Sequence, residues 1–268
     1  VKEYLVENGF EELKESDSWK LNSQKKYFVI RGGASIIAFK AGELSDKYRF
    51  LIAASHGDAP GFKLKENSSV TVKNEYLQLN SEGYGGMICY SWMDRPLSIA
   101  GRVIVKGEDG FEEKLFNIAE DMALIPSLAI HMNRKVNEGV ELNKQIDMLP
   151  LWGHAEEVNA DVKNAIAQAL GISEEAILGQ DVFLYNREKP SCWGVAKEYI
   201  SAPRLDDLMC AYASLTGFIK SNAAEDTINV YACFDNEEVG SSTRHGAGSS
   251  FLEDVLERIR TGLGYERE

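Results

Sequence analysis

Two adjacent carboxylates, Glu237 and Glu238, follow a short apolar run near the C-terminal end of the chain. Residues 228–234 read INVYACF, a β-branched and aromatic stretch that predicts a buried strand. Open α/β sheets usually form their sites at the carboxyl ends of strands. One carboxylate there could bind a metal ion while its neighbour accepts a proton. A solvated acidic loop is the ordinary alternative, so the interpretation depends on ligands from elsewhere.

A histidine and an aspartate follow a second predicted strand in the same way. Residues 50–54 predict this strand, and His56 and Asp58 come directly after it. The His56 imidazole could ligate a metal ion, and the Asp58 carboxylate could fix its orientation or tautomer. Ordinary loop polarity would also account for the pair taken alone. Its position at a strand end, like that of Glu237 and Glu238, favours a shared site.

A third acidic group, Asp206, stands at the start of a predicted helix. Spacing alone favours Asp206 as the N-cap of that helix, and a metal ligand is the alternative. The helix is predicted to bury one face, made of Leu208, Ala211, Tyr212, Leu215 and Phe218. With an imidazole, the carboxylates would form a nitrogen and oxygen ligand set that suits zinc or a similar divalent ion. A metallohydrolase and an acidic α/β binding protein both remain open at this point.

The predicted elements divide the chain into two domains. Strands at 27–31 and 35–39 flank a Gly32-Gly33 turn, and a capping box at Ser250–Glu253 predicts a last helix. Residues 64–192 alternate short strands, glycines and charges, and carry one amphipathic helix over 155–170 (Val158, Val162, Ile166, Leu170). We therefore predict a catalytic α/β domain from 1–63 and 193–268, with 64–192 as an inserted, mainly β domain.

Composition excludes several classes of partner. The 268-residue chain has a formal net charge of −13 and a pI near 4.9, which argues against nucleic acid. No apolar run reaches the length of a membrane span, and the first residues lack a signal-peptide core. The four scattered cysteines favour free thiols in a reducing compartment. We expect a cytoplasmic protein that does not bind membranes.

Six blocks, in this order, resemble the aspartyl aminopeptidase family of metallopeptidases: SHGDAPGFKLK, SEGYGG, SWMDRPLSIAGRV, IPSLAIHMNR, SAPRLDDL and FDNEEVGSS. The resemblance covers nearly the whole chain. It implies a zinc-exopeptidase-like mixed sheet flanked by helices, with an inserted dimerisation domain and dimers that build a dodecameric, tetrahedral assembly. It also implies a site for two divalent ions, zinc first and cobalt or manganese as alternatives. The implied reaction removes N-terminal residues from peptides, acidic ones according to the family name.

The resemblance also implies roles for individual residues. His56 would ligate one metal ion and Glu238 the other, and Asp206 would bridge both. Glu237 would be the general base that deprotonates the bridging water, and Asp58 would orient His56. The peptide bond after the bridging aspartate is implied to be cis.

His131, in the inserted domain, matches a histidine that completes the site of the neighbouring subunit. The family usually has Asn after the bridging aspartate, where this chain has Asp207, and Gly57 replaces a threonine. Neither change removes a ligand. Family chains run well beyond Glu268 and supply an Asp and a His there, so we expect a missing C-terminal part. His245 falls where the family has a polar residue that is not a ligand.

Two other functions remain open on this fold. One is a non-catalytic assembly or binding protein, and a stoichiometric content of two metal ions would exclude it. The other is a different di-metal amidohydrolase, which would cleave amides away from a free N-terminus. The blocks around Gly85 and His131 argue against the second.

Overall fold

The structure, a computed structural model, describes residues 1–107, 110–156 and 161–265. The chain divides into two compact units, the first made of Val1–Ala59 and Arg204–Glu268 and the second of Pro60–Pro203. The predicted insertion, 64–192, begins four residues after the start of the second unit and ends eleven residues before its end. The difference arises because a long strand of the second unit begins at Gly61 and a short hairpin at 191–201 also belongs to it. That the inserted unit makes the subunit contact stays a prediction.

The first unit contains a five-stranded mixed sheet, with elements numbered in chain order. Its strands are β1 (Phe10–Leu13), β2 (Lys26–Arg31), β3 (Ser35–Ala41), β4 (Arg49–His56) and β13 (Thr227–Phe234). Their order is β1-β2-β3-β13-β4. Strand β13 is antiparallel to β3 and parallel to β4, so the last strand in sequence lies between two early ones. The predicted mixed α/β architecture is confirmed.

The described residues of this unit form three α-helices: α1 (Lys2–Glu7), α3 (Leu205–Lys220) and α4 (Phe251–Gly262). Alternate residues of β13 face opposite sides of the sheet, as the strand period requires. Tyr231 and Cys233 pack in one apolar cluster with the buried α3 side chains Ala211, Leu215 and Phe218. Val230 and Ala232 pack in the other with the buried α4 side chains Phe251, Val255 and Ile259. The sheet is therefore covered by a helix on each face.

Two details of these helices were predicted wrongly. Leu208 and Tyr212 are 44% and 68% exposed rather than buried. Tyr212 follows the buried Ala211 by one position, which is about 100° around the helix axis and away from the sheet. The capping box is absent because Ser250 has helical dihedrals (φ −70°, ψ −2°), and its Oγ donates to Asp254 Oδ2 at 2.7 Å.

In the part of the second unit that the structure describes, the chain forms a six-stranded antiparallel sheet and one α-helix. The sheet order is β8-β7-β10-β5-β6-β9, and β11 pairs with β12 in a separate hairpin. The bounds are β5 (Gly61–Val72), β6 (Tyr76–Tyr84), β7 (Leu97–Gly107), β8 (Gly110–Asn117), β9 (Leu151–His154), α2 (Val162–Leu170), β10 (Ile177–Asn186), β11 (Ser191–Trp193) and β12 (Tyr199–Ser201). The predicted mainly β character of this segment agrees with this sheet.

Helix α2 begins later than the sequence pattern predicts. Asp161 is its N-cap, with Oδ1 accepting from the Lys163 N–H at 3.4 Å, and Gly171 closes it with a φ of 64°. Ala155, the predicted start, lies in a turn. Val158, which the prediction placed on the apolar face, is outside the described residues.

No helix in the described ranges is long and apolar enough to cross a membrane. The four cysteines are free thiols, as expected.

Candidate metal centre

The predicted site residues of the first unit meet where β4 and β13 end. In this parallel pair His56 lies opposite Phe234, so the residues that follow each strand are side by side. The ligand atoms of His56, Glu237 and Glu238 all lie within 4.8 Å of one another. The structure therefore brings together, at the ends of two neighbouring strands, groups that are about 180 residues apart in sequence, as their strand-end positions predict.

Local backbone geometry places the two glutamates. Asn236 has a left-handed conformation (φ 62°), which turns the chain sharply after β13. Glu237–Val239 then form a single 3₁₀ turn, and Gly240 ends it with a φ of 94°. In this turn the backbone N–H groups of both glutamates point back towards the end of β4.

Asp58 accepts both of those N–H groups. Its Oδ1 lies 3.1 Å from the Glu237 nitrogen and its Oδ2 lies 3.1 Å from the Glu238 nitrogen. The same carboxylate approaches the imidazole, with Oδ1 3.4 Å from His56 Nδ1. Asp58 thus holds the histidine and the glutamate turn together, which is more than the histidine-orienting role that the resemblance implies.

Asp206 reaches the cluster from the start of α3, which packs against β4. Its Oδ1 lies 3.5 Å from His56 Nε2, and Glu237 Oε2 lies 3.9 Å from the same nitrogen. Asp206 and Asp207 have non-helical dihedrals, so the regular helix begins after them, and the peptide between them is cis, as implied. Because Asp207 is the last non-helical residue before the regular helix, Asp206 is not in the N-cap position that its spacing favoured.

Charge is concentrated around the single imidazole. Burial lowers the pKa of His56, but Asp207, Asp58 and Glu237 together raise that pKa above its usual value. Burial, followed by repulsion from Glu237 and Asp58, raises the pKa of Glu238. A bound divalent cation would relieve this repulsion, because it adds positive charge where carboxylates crowd together.

The donor atoms fit zinc. One imidazole nitrogen and carboxylate oxygens from Asp206, Glu237 and Glu238 form a ligand set without thiolates, which zinc, cobalt and manganese accept. The three ligand-capable groups within 4.8 Å include Glu237, to which the resemblance gives the role of base rather than ligand. The assignment of Glu237 and Glu238 to these two roles stays a prediction.

Asp207 is the residue that the sequence interpretation missed. Its side chain is 14% exposed, against 89% for Asp206, and its Oδ2 accepts from the His56 N–H at 3.1 Å. Burial raises the pKa of Asp207, but hydrogen bonds from the Cys210 thiol and the His56 N–H, with the His56 charge, keep that pKa below the usual value. The sequence signal that could have drawn attention to Asp207 was the pair of consecutive aspartates, Asp206 and Asp207, at the start of the helix.

Two other histidines, His131 and His245, are not members of the group formed by His56, Glu237 and Glu238. His131 is exposed in a turn of the second unit, and its role at a neighbouring subunit stays a prediction. His245 lies over Gly32, where an added Cβ would come within 1.9 Å of its Nε2. Its backbone oxygen accepts from Ser35 Oγ at 2.6 Å, so this histidine has a structural position.

Comparison with protein families gives one match over the chain. The aminopeptidase I zinc metalloprotease family (M18) matches residues 1–268. The probable M18 family aminopeptidase 2 of Clostridium acetobutylicum is 46% identical over 275 residues, which cover 100% of this chain and 63% of that protein. Aspartyl aminopeptidase 4 of Saccharomyces cerevisiae is 35% identical, over 97% of this chain and 60% of that protein. The chain thus spans less than two thirds of these relatives.

Solved structures agree with this match. The cryo-EM structure of the Ape4 and Nbr1 complex superposes with a TM-score of 0.90 and 33% identity, over 99% of this chain and 55% of that one. The dodecamer structure of Saccharomyces cerevisiae mApe1 gives a TM-score of 0.82 and 26% identity, over 100% of this chain and 62% of that one. Both units of this chain therefore have counterparts in solved structures.

Proposed function

This chain belongs to the aminopeptidase I family of zinc metalloproteases (M18), and we propose that it acts as a metal-dependent aminopeptidase that removes N-terminal residues from peptides. The observation that carries the proposal is the convergence of His56 Nε2 with the carboxylates of Asp206, Glu237 and Glu238 at the ends of β4 and β13. The name of the yeast relative supports the inclusion of acidic first residues among the substrates.

His56 and Glu238 would hold the metal ions, with Asp206 between them. Bound zinc polarises a carbonyl and lowers the pKa of a water molecule. Asp58 lies on the Nδ1 side of His56, which leaves Nε2 directed at the site for ligation. The ligand set thus comes from β4, from the start of α3 and from the turn after β13.

Glu237 is placed to move the proton. Its side chain is 55% exposed while its backbone N–H is fixed by Asp58, so the carboxylate is anchored and reachable by water. Glu237 takes a proton from the attacking water as the new carbon–oxygen bond forms. It then gives this proton to the leaving amine as the carbon–nitrogen bond breaks.

We also propose that the protein forms a homo-oligomer in the cytoplasm, in which dimers assemble into a dodecamer. The yeast mApe1 dodecamer supports the assembly for this fold. Leu128, Ile130 and Met132 of the second unit are more than half exposed beside His131, and apolar side chains exposed together are typical of contact surfaces. We expect light scattering of the full-length protein to give a mass near twelve subunits, and a monomer would contradict this part.

The activity is tested on the full-length protein with zinc, cobalt or manganese. Peptides that begin with Asp, Glu or Leu are compared with the same peptides carrying an N-terminal acetyl group. We expect release of the first residue from the free peptides only, loss of release with a chelator, and recovery when metal is returned. Stoichiometric metal without any cleavage would indicate a binding protein. Cleavage of the acetylated peptides would indicate a different amidohydrolase.

A further inference from the structure

The first residue of β3, Ser35, is polar and fully buried. The backbone pairing of β3 with β13 ends at Ile36 and Cys233, one residue before Ser35. Beyond that point the serine side chain continues the contact, because Ser35 Oγ accepts the Asp235 N–H at 2.9 Å. Asp235 comes two residues before Glu237, so this hydroxyl holds the backbone directly before the turn that carries the two glutamates.

The same hydroxyl also contacts the chain after that turn. Ser35 Oγ donates its hydrogen to the backbone oxygen of His245 at 2.6 Å. A single oxygen atom is thus bonded to residues 235 and 245, and it closes the segment between them into a loop. A serine hydroxyl can donate one hydrogen and accept others, and this arrangement uses both capacities. An alanine at this position would supply neither.

A second contact places the loop 235–245 on the turn between β2 and β3. Gly32 in that turn has a φ of 58°, and a Cβ added to it would come within 1.9 Å of His245 Nε2. The imidazole therefore occupies the space that a side chain at position 32 would fill. The contact with Gly32 and the hydrogen bond from Ser35 hold the same histidine against one hairpin.

Hydrogen bonds within the loop connect these contacts to the glutamates. The N–H of Ser241 donates to Asn236 O at 2.9 Å, and Thr243 Oγ1 donates to Asn236 Oδ1 at 2.7 Å. Asn236 is the residue that turns the chain into the 3₁₀ turn Glu237–Val239. A displacement of the loop would therefore be passed on to that turn.

The turn Glu237–Val239 is held from both strands that flank β13. On the side of β4, Asp58 accepts the N–H groups of the two glutamates, and on the side of β3, Ser35 accepts that of Asp235. Strand β13 lies between β3 and β4. Two fixed points on opposite sides define the position of a short segment, whereas one leaves it free to pivot. Without the Ser35 contact the two carboxylates could shift relative to His56.

We propose that Ser35 is a positioning residue, whose hydroxyl closes the loop 235–245 and so keeps Glu237 and Glu238 in place opposite His56. The proposal rests on the proposed function for the nature of the bound ion and of the reaction. Removal of a group that orients a metal ligand typically weakens metal binding or activity by about 10–100-fold. A displacement of about 1 Å in a reacting group can cost about 10²-fold in rate.

The main test is Ser35→Ala in the full-length protein, with zinc affinity measured by competition with a chelating dye. We expect about 10–100-fold weaker binding. Ser98→Ala is the matched control, because Ser98 is also fully buried and its Oγ donates to a backbone oxygen, that of Ile118 at 2.6 Å, in the second unit. It loses the same kind of hydrogen bond and should bind zinc like the wild type. Ser35→Thr, which returns a hydroxyl, should bind zinc more tightly than Ser35→Ala.

Steady-state kinetics at saturating zinc separate positioning from a general loss of stability. Ser35→Ala should lower kcat by about 10–100-fold and leave KM unchanged, because a displaced Glu237 affects the transition state and not the binding of the peptide. Ser98→Ala should keep the kcat of the wild type.

Hydrogen exchange in the metal-free wild type tests the contact itself, even if Ser35→Ala does not fold. Asp235 lies beyond the last residue of β13, Phe234, yet its amide should exchange as slowly as the amides inside the strand because Ser35 holds it. Mass spectrometry with electron-transfer fragmentation resolves this amide. Exchange at the rate of an open loop would overturn the proposal.

Wild-type zinc affinity and wild-type kcat in Ser35→Ala would also overturn it. Equal losses of zinc affinity in Ser35→Ala and Ser98→Ala would do the same, because the effect would then be one of general stability. A wild-type protein that binds zinc but cleaves no peptide would reject the proposed activity alone. Zinc affinity and hydrogen exchange would still decide the role of Ser35 in that case.

Discussion

At the scale of residues, Glu237 and Glu238 are neighbours in sequence with different surroundings. Both backbone N–H groups are held by the Asp58 carboxylate, so the two side chains leave one anchored turn. The Glu237 side chain is more than half exposed, whereas burial is the main reason why the pKa of Glu238 is raised. A group that exchanges protons with water needs access to it, and a metal ligand is better held in place. The geometry therefore favours Glu237 as the base.

Glu237→Gln tests this division of roles. The amide keeps the shape of the side chain but cannot take a proton, so turnover should fall by roughly 10²–10⁴-fold. Bound metal, measured by atomic absorption, should stay close to the wild-type content. Glu225→Gln, an exposed glutamate before β13, is the control and should change neither quantity. A Glu237→Gln protein that lost its metal but kept a normal rate per bound ion would reverse the two roles.

At the scale of elements, the C-terminal end of α3 is held by a buried lysine. Lys40, on β3, is 6% exposed and its Nζ donates to the carbonyls of Phe218 at 2.6 Å and Ile219 at 3.2 Å, and also to that of Ser221. The last carbonyls of a helix lack intrahelical partners, and a cation there satisfies them and interacts favourably with the helix dipole.

Lys40→Met should therefore destabilise the protein. Methionine keeps the apolar part of the side chain and leaves the carbonyls without their donor, at about 1–3 kcal/mol for each buried group left unsatisfied. Urea denaturation of the metal-free protein measures the free energy of unfolding. Lys220→Met, an exposed lysine in the last turn of the same helix, should have little effect. Equal stability of the two variants would show that water replaces the amine.

Helix α4 is joined to β2 by an ion pair that depends on pH. Arg31 donates to Glu15 at 2.6 Å and to Asp254 at 3.0 Å, and Ser250 donates to the same Asp254 oxygen. The Ser250 hydrogen bond, and then that of Arg31, lower the pKa of Asp254. A lowered carboxyl pKa stabilises the folded state above the unfolded value of about 3.9, and this stabilisation is lost as the pH falls through the folded value.

Asp254→Asn should remove this part of the pH dependence. The wild type should lose stability as the pH falls from about 5 to about 2, and the variant should lose less, because it has no carboxylate to protonate at this position. Thermal unfolding followed by circular dichroism across that range measures the difference. Glu253→Gln, a neutralisation at the adjacent exposed position, should behave like the wild type. Parallel pH curves for Asp254→Asn and the wild type would contradict the expectation.

The elements that local signals define were predictable from sequence. The Gly32-Gly33 turn, with φ values of 58° and 70°, and the apolar strand before Glu237 are examples. The predictions that failed concern features that depend on contacts between residues distant in sequence. Tyr212 has the helical spacing expected of a buried residue, but the buried side chains of α3 are Ala211, Leu215 and Phe218, which lie on the neighbouring face of the helix. The contact between Asp207 and the His56 N–H could not be predicted, because it joins residues 151 apart in sequence and depends on how α3 packs against β4.

At the scale of the whole molecule, the proposed metal ligands, His56, Asp206 and Glu238, come from three segments that are distant in sequence. The site forms only after the first unit has folded, so metal binding stabilises the folded state. At a metal concentration 100 times its Kd, the gain is about 2.7 kcal/mol. We expect a chelator to lower the unfolding temperature of the wild type and to leave that of His56→Ala unchanged. An equal shift in both proteins would place the stabilising metal elsewhere.

The position of β13 between β3 and β4 has a consequence for synthesis. Phe50 of β4 pairs with Ile228 of β13, which the ribosome adds about 180 residues later, or roughly 10–35 s at usual elongation rates. Until then the facing edges of β3 and β4 lack their common partner, and open strand edges invite wrong pairing. The nascent chain is therefore most exposed to aggregation while the second unit is being made. Ribosome profiling of chaperone-bound chains should show contact rising after residue 60 and falling once residue 234 has left the exit tunnel.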